Sequence, residues 1–209
     1  MSFDRIEMES GQLSFGEWWS AKSPKRDEAV CGDQALIRQI GNQILFGVVD
    51  GLGHGIRAAE ASTQAMELLQ TFKEGESIIS LLKRCHKHLR YTRGVVLSLG
   101  VIDSEEDTLT WTGVGNVEGI LLRPGKEKLN YLEAITLRAG VVGYKLPSPR
   151  ASIVPVSIGD LIVFTTDGVE SSYLGYFENH IDAEETVGKI AGNCFKQTDD
   201  ALLFIFRYN

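Results

Sequence analysis

Cysteine is scarce in this chain, with three in 209 residues. Cys31, Cys85 and Cys194 are scattered without paired spacing. An odd, scattered set excludes a disulfide framework and a cysteine zinc site, and it predicts a reducing, cytoplasmic setting. No apolar run approaches the roughly 20 residues that a membrane helix needs. The N-terminus MSFDRIEMES lacks the basic and apolar regions of a secretory signal. Basic residues are also outnumbered, 21 Lys and Arg against 28 Asp and Glu, for a net charge of −7. That balance excludes non-specific nucleic-acid binding, because phosphate backbones demand basic surfaces. Low-complexity linkers, internal repeats and breaks in composition are absent as well. With 43% hydrophobic and 23% charged residues, a single globular domain over 1–209 is expected, soluble, away from membranes and monomeric.

The elements follow from periodicity. Gln43–Val49 (QILFGVV) reads as a buried strand ending at Asp50-Gly51. After the loop GLGHG, the spacing of Ile56, Ala59, Thr63, Met66 and Leu69 predicts a helix from Gly55 to about Phe72. Ile78, Leu81, Leu82, Cys85 and Leu89 predict a second, from Ser77 to about Leu89, with Cys85 packed inside and His86 and His88 on the surface. Val95–Ile102 and Thr108–Val114 form a hairpin, which Val117–Leu122 continues. Lys128–Leu132, Ile135–Leu137 and Ser152–Ser157 are weaker strands; Leu161–Thr166 is a strong one, ending in Asp167-Gly168. Asp182 caps a last helix with Glu185 three residues on, and Ala201–Tyr208 is a terminal strand entered through Asp199-Asp200. The class is α+β, with antiparallel strands between two early helices and one late. The glycine- and proline-punctuated segment Leu137–Pro149 is a surface loop or a flap beside the site.

Three buried strands therefore start or stop at carboxylates, at Asp50, Asp167 and Asp199-Asp200, and Asp33 precedes a further apolar run. Carboxylates at strand ends sit on rigid backbone yet face solvent. Hard cations such as magnesium or manganese take such oxygen ligands. Glycine after the aspartate leaves the neighbouring carbonyl open to a metal. Two cations roughly 3.5–4 Å apart can share a water, lower its pKa and clamp a phosphoryl group. Each Asp-Gly alone is more often a plain turn; the combination carries the argument. GLGHG is a tight turn into the helix or a cluster of amides facing an anion, and His54 is its one ionisable side chain.

CGDQ (31–34), VVDGLGHG (48–55), GVGNVEG (113–119), TTDG (165–168) and TDDALLFIF (198–206) stand in the order found in the PPM, or type 2C, protein phosphatases. The chain resembles that family over nearly its whole length, and most of all its compact bacterial branch of stressosome feedback phosphatases. The resemblance implies an αββα sandwich of two antiparallel β-sheets flanked by helices. It implies two divalent cations, Mn2+ or Mg2+, bridged by Asp50. Gly51 would contribute its carbonyl, and Asp167 and Asp199 would complete the set, with Asp200 the alternative to Asp199. Asp33 would bind a cation directly or through water. Water activated between the cations would attack phosphorus with no covalent intermediate. Phosphorylated STAS-domain proteins are the substrates that this branch implies.

Some positions depart from the pattern. Leu52 stands where many members place a proton-donating histidine, and His54 is the replacement two residues on. The usual Asp-Asp/Asn-x-Thr ending lacks its threonine, and Arg26 is the nearest stand-in for the arginine that holds phosphate in larger members. Two rival readings follow: a pseudo-phosphatase acting as a binding module, and a hydrolase of small phosphoesters.

Overall fold

In this computed structural model, residues 5–124, 129–177 and 182–209 are described. Side-chain alternation decides the layering. In β4 (Gln43–Gly51), Ile44, Phe46 and Val48 face one side, while Leu45 and Val49 face the other. In β12 (Ala201–Tyr208), Leu202, Phe204 and Phe206 face one side, and Ala201, Leu203 and Ile205 the other. Strands apolar on both faces need cover on both.

The first sheet runs β1 (Glu7–Leu13), β2 (Gly16–Ser23), β12, β11 (Leu161–Thr165), β7 (Glu118–Pro124) and β8 (Leu129–Ala134). The second runs β10 (Ser152–Pro155), β6 (Thr108–Val114), β5 (Val95–Asp103), β4 and β3 (Asp33–Ile40). The short β9 (Leu137–Arg138) joins β6 in parallel; the other strand pairs are antiparallel. Helices α1 (Ile56–Leu69) and α2 (Ile78–His88) cover the second sheet, and α3 (Ala183–Cys194) covers the first. The expected αββα sandwich is therefore present. Asp182 caps α3 by accepting the Glu185 N–H at 3.0 Å. Cys85 is buried, its thiol pushed up to about 12 by that burial.

Phe46 lies at the centre, fully buried, with its ring centroid 5.5 to 5.8 Å from those of Phe206, Phe164 and Phe204. Phe46→Ala is expected to cost about 3–5 kcal/mol. A thermal melt should fall by about 10 °C.

Two features differ from the sequence reading. The hairpin of β1 and β2 was not anticipated: β1 is an edge strand whose residues are largely exposed and polar, so burial left no apolar signature. Residues 117–122 do not continue the β5–β6 hairpin but cross to the other sheet, where β7 pairs with β11. Gly115 makes that crossing at φ +102°, a conformation open mainly to glycine, with Val96 occupying the space of any Cβ. Of the weaker strands, 135–137 reduces to β9, and 128–132 lies partly outside the described residues.

Candidate metal centre and active site

The same alternation that builds the core delivers carboxylates to its open end. Asp50 continues the series Ile44, Phe46, Val48, and so faces the space between the sheets. Asp33 is its direct partner across the ladder. Thr166 continues Ile162 and Phe164, and Asp200 precedes Leu202 and Phe204 on the same face. Asp167 and Asp199 stand one residue further out, at the mouth. Asp50, Asp167 and Asp199 line a cleft of about 530 Å³, together with Lys25, His54 and Asn116.

Crowding of like charges dominates the electrostatics. Asp50 is pushed up to about 7, first by burial and then by the charges of Asp167, Asp199 and Asp200. Asp33, 2% exposed, is raised well above the usual carboxylate range by burial and then by Asp50, against a hydrogen bond with Thr166. Asp167 is raised by burial and then by Asp199, offset by Lys196 and by the Asn116 amide, which donates to Asp167 Oδ2 at 2.6 Å. The buried Asp33 Oδ2 has no hydrogen-bond partner among the described residues. Acceptors left in this state call for a cation or water.

Asp200 has a different task. Its Oδ1 accepts the Lys25 N–H at 2.8 Å and its Oδ2 the Gly32 N–H at 2.9 Å, and the residue is 3% exposed. Asp200 thus ties the loop before β3 to β12, leaving Asp199 as the carboxylate of the pair that faces the cleft. The glycines after Asp50 and Asp167 also have a packing reason. A Cβ on Gly51 would stand 2.2 Å from the Ala58 carbonyl oxygen, and one on Gly168 would stand 1.9 Å from that of Asp200.

His54 borders the cleft, exposed, with Nδ1 2.5 Å from Glu28 Oε1. Gly55 passes so close to Glu28 that a Cβ would stand 2.5 Å from its carboxylate, at φ +72°. Arg26 is exposed and absent from the cleft wall, where Lys25 stands instead. His86 is half-buried rather than on the surface, its Nδ1 accepting the Gly143 N–H at 2.9 Å. Residues 139–141 form one wall, and their segment is held by pairing of β9 with β6 and of Val142 with Val95. Sequence reasoning missed Lys25, Glu28, Asn116 and Thr166. The last two sit inside the motifs GVGNVEG and TTDG, which was their only signal.

Among the described residues, no three His, Cys, Asp or Glu side chains stand close enough to share one ion. With the orphaned Asp33 oxygen and the uncompensated Asp50, the residues fit a hydrated divalent cation centre.

The family profile described as stage II sporulation protein E (SpoIIE) matches residues 40–208. The chain belongs to the SpoIIE family. The SpoIIE protein of Bacillus subtilis has a PP2C phosphatase domain, and this family member is a protein phosphatase of that type. It is 25% identical over 169 residues to phosphoserine phosphatase RsbX of Bacillus subtilis (strain 168), covering 81% of each chain. A crystal structure of RsbX in complex with magnesium superposes with a TM-score of 0.83 at 20% identity, over 97% of this chain and 100% of that one. A structure from work on the bacterial stressosome gives 0.76 at 24%, over 97% and 98%. At these identities the two structures show a shared fold.

Without metal, the site weakens the protein as pH rises. The Asp50 pKa in the folded state lies above its unfolded value of about 4, so its contribution is favourable below that pH and is lost as pH climbs through about 7. Asp50→Asn removes the titration. In chelator, its stability relative to the unmodified protein should increase from pH 4 to pH 7 and then level off, as read by urea denaturation.

Proposed function

We propose that the chain is a metal-dependent phosphoserine/phosphothreonine protein phosphatase, acting on phosphorylated STAS-domain proteins of a bacterial stress-signalling complex. The observation that carries this reading is the convergence of Asp50, Asp167 and Asp199 on one open cleft, where burial and then the charges of its neighbours push Asp50 up to about 7. Asp50, the Gly51 carbonyl, Asp167 and Asp199 would hold two cations, Mg2+ or Mn2+, with Asp33 orienting water behind Asp50. When bound, those cations supply an activated water and neutralise phosphoryl charge.

The chain's own residues do the rest. Lys25 offers a positive charge to the phosphoryl oxygens from the cleft wall. Asn116 fixes the Asp167 carboxylate in place. His54, held by Glu28 at the rim, would give a proton to the departing serine oxygen. The STAS-protein substrate follows from the likeness to RsbX. The three free cysteines suit a cytoplasmic setting. The protein would work as a monomer.

The substrate class is tested by comparing kcat/KM on a phosphorylated STAS-domain protein, on a phosphopeptide from its phosphosite, and on a small phosphometabolite. A preference of about tenfold or more for the intact domain is expected, since surface contacts outside the cleft add to transition-state binding. Equal rates on the free metabolite would favour the small-molecule reading instead.

A further inference from the structure

Positive charge is unevenly placed in this acidic protein. Between Ser77 and Ile102 stand Lys83, Arg84, Lys87, Arg90 and Arg93, and no Asp or Glu, although the chain's net charge is −7. All five are exposed. Arg84 pairs with Glu76, whereas the other four have no acidic partner among the described residues. Lys83, Lys87 and Arg90 recur at i, i+4 and i+7, which puts them on one face of α2 and its terminal turn, opposite the buried Leu81, Cys85 and Leu89.

The strip leads to the active site. Arg93 extends to the loop that carries Leu52 and His54: its guanidinium lies 2.7 Å from where a Gly53 Cβ would stand. Leu52 N–H donates to the Gly94 carbonyl. Beside the strip, Tyr91 is 100% exposed and Tyr144 84%. The second belongs to the segment whose Gly143 rests on Leu89 and donates to His86, and whose residues 140 and 141 line the cleft. Cations in a last helical turn complement the helix dipole. That accounts for Lys87 and His88, but not for Arg90 and Arg93 beyond the helix, nor for two bare tyrosines beside them. Tyrosine and arginine are the side chains that anchor protein interfaces.

We propose that this strip, with Tyr91 and Tyr144, is the docking surface for the acidic face of a phosphorylated protein substrate. The proposal rests on the protein-phosphatase reading above and names the chemistry of its partner. A cleft lined by Asp50, Asp167 and Asp199 in a chain of charge −7 repels an acidic phosphoprotein at long range. A local basic strip at the lip reverses that field where the partner must land, and it speeds association in a salt-dependent way. Because the strip lies outside the cleft, it adds nothing to the turnover of small substrates.

The test compares the unmodified phosphatase, Lys87→Glu/Arg90→Glu and, independently, Tyr91→Ala, with Mn2+. The substrates are p-nitrophenyl phosphate, a phosphorylated STAS-domain protein and phosphorylated casein, a second acidic phosphoprotein. The charge-reversal variant should keep its rate on p-nitrophenyl phosphate and lose about tenfold or more in kcat/KM on the phosphoproteins, mainly through KM, with the gap closing at high salt. Tyr91→Ala should show a smaller loss of the same kind, insensitive to salt. If the loss appears on casein while the unmodified enzyme ignores the STAS protein, the docking surface stands and the STAS assignment falls. If the STAS protein and casein are processed equally by all three proteins, docking falls and the substrate assignment stands. Unchanged phosphoprotein turnover with lost binding to phosphatidylserine vesicles would assign the strip to a membrane and overturn the proposal.

Discussion

Asp50→Asn should lower metal-dependent turnover of p-nitrophenyl phosphate by about a thousandfold or more, while the fold survives. The size follows from the position. Asp50 lines the cleft and is pushed toward neutrality by burial and then by three neighbouring charges, and removing the carboxylate proposed to be shared by two cations would forfeit several kcal/mol of transition-state charge stabilisation. The amide keeps the shape of the side chain, and the β4 ladder around it is backbone pairing with Asp33 and Val96. Far-ultraviolet circular dichroism should therefore match the unmodified protein, and without metal the variant should be the more stable at neutral pH. Full activity in this variant would refute the assignment of the centre.

The second large effect separates two adjacent aspartates. Asp200→Ala should cost about 3 kcal/mol of stability, because it leaves the buried Gly32 N–H and the half-buried Lys25 N–H without an acceptor. For a chain of this size, that lowers the melting temperature by about 6–12 °C. The measurement is best made in saturating Mg2+, so that relief of carboxylate crowding does not mask the loss. Asp199→Ala, at the half-exposed cleft wall, should instead reduce activity by about a hundredfold and move the melting temperature by no more than about 2 °C. The opposite pattern, a stable but inactive Asp200→Ala and an unstable Asp199→Ala, would exchange their roles.

Much of this arrangement was legible in the residues before any coordinates. Strands buried on both faces show continuous apolar runs, and β4, β11 and β12 were read within one or two residues of their observed ends. The cap at Asp182 was visible for the same local reason. What the pattern cannot express is partnership. Asp33 lies 17 positions before Asp50 but directly opposite it in the ladder. Asp200 differs from Asp199 only in which backbone N–H groups it meets, 168 and 175 positions away.

Long-range packing hid other features too. The Asp-Gly pairs suggested open carbonyls, yet both glycines are required because Ala58 and Asp200 press on them. The crossing at Gly115 and the polar edge strand β1 gave no periodic signal, so residues 117–122 were placed in the wrong sheet and the N-terminal hairpin was missed. The pair of His54 with Glu28, 26 positions apart, is equally invisible in one dimension.

The most direct test of the central claim is the rate of phosphate release from a phosphoserine protein as Mn2+ is titrated into chelator-treated enzyme. No turnover is expected in chelator, with a saturable recovery as the cation is restored, absent in Asp50→Asn. Undiminished phosphate release in excess chelator would contradict it.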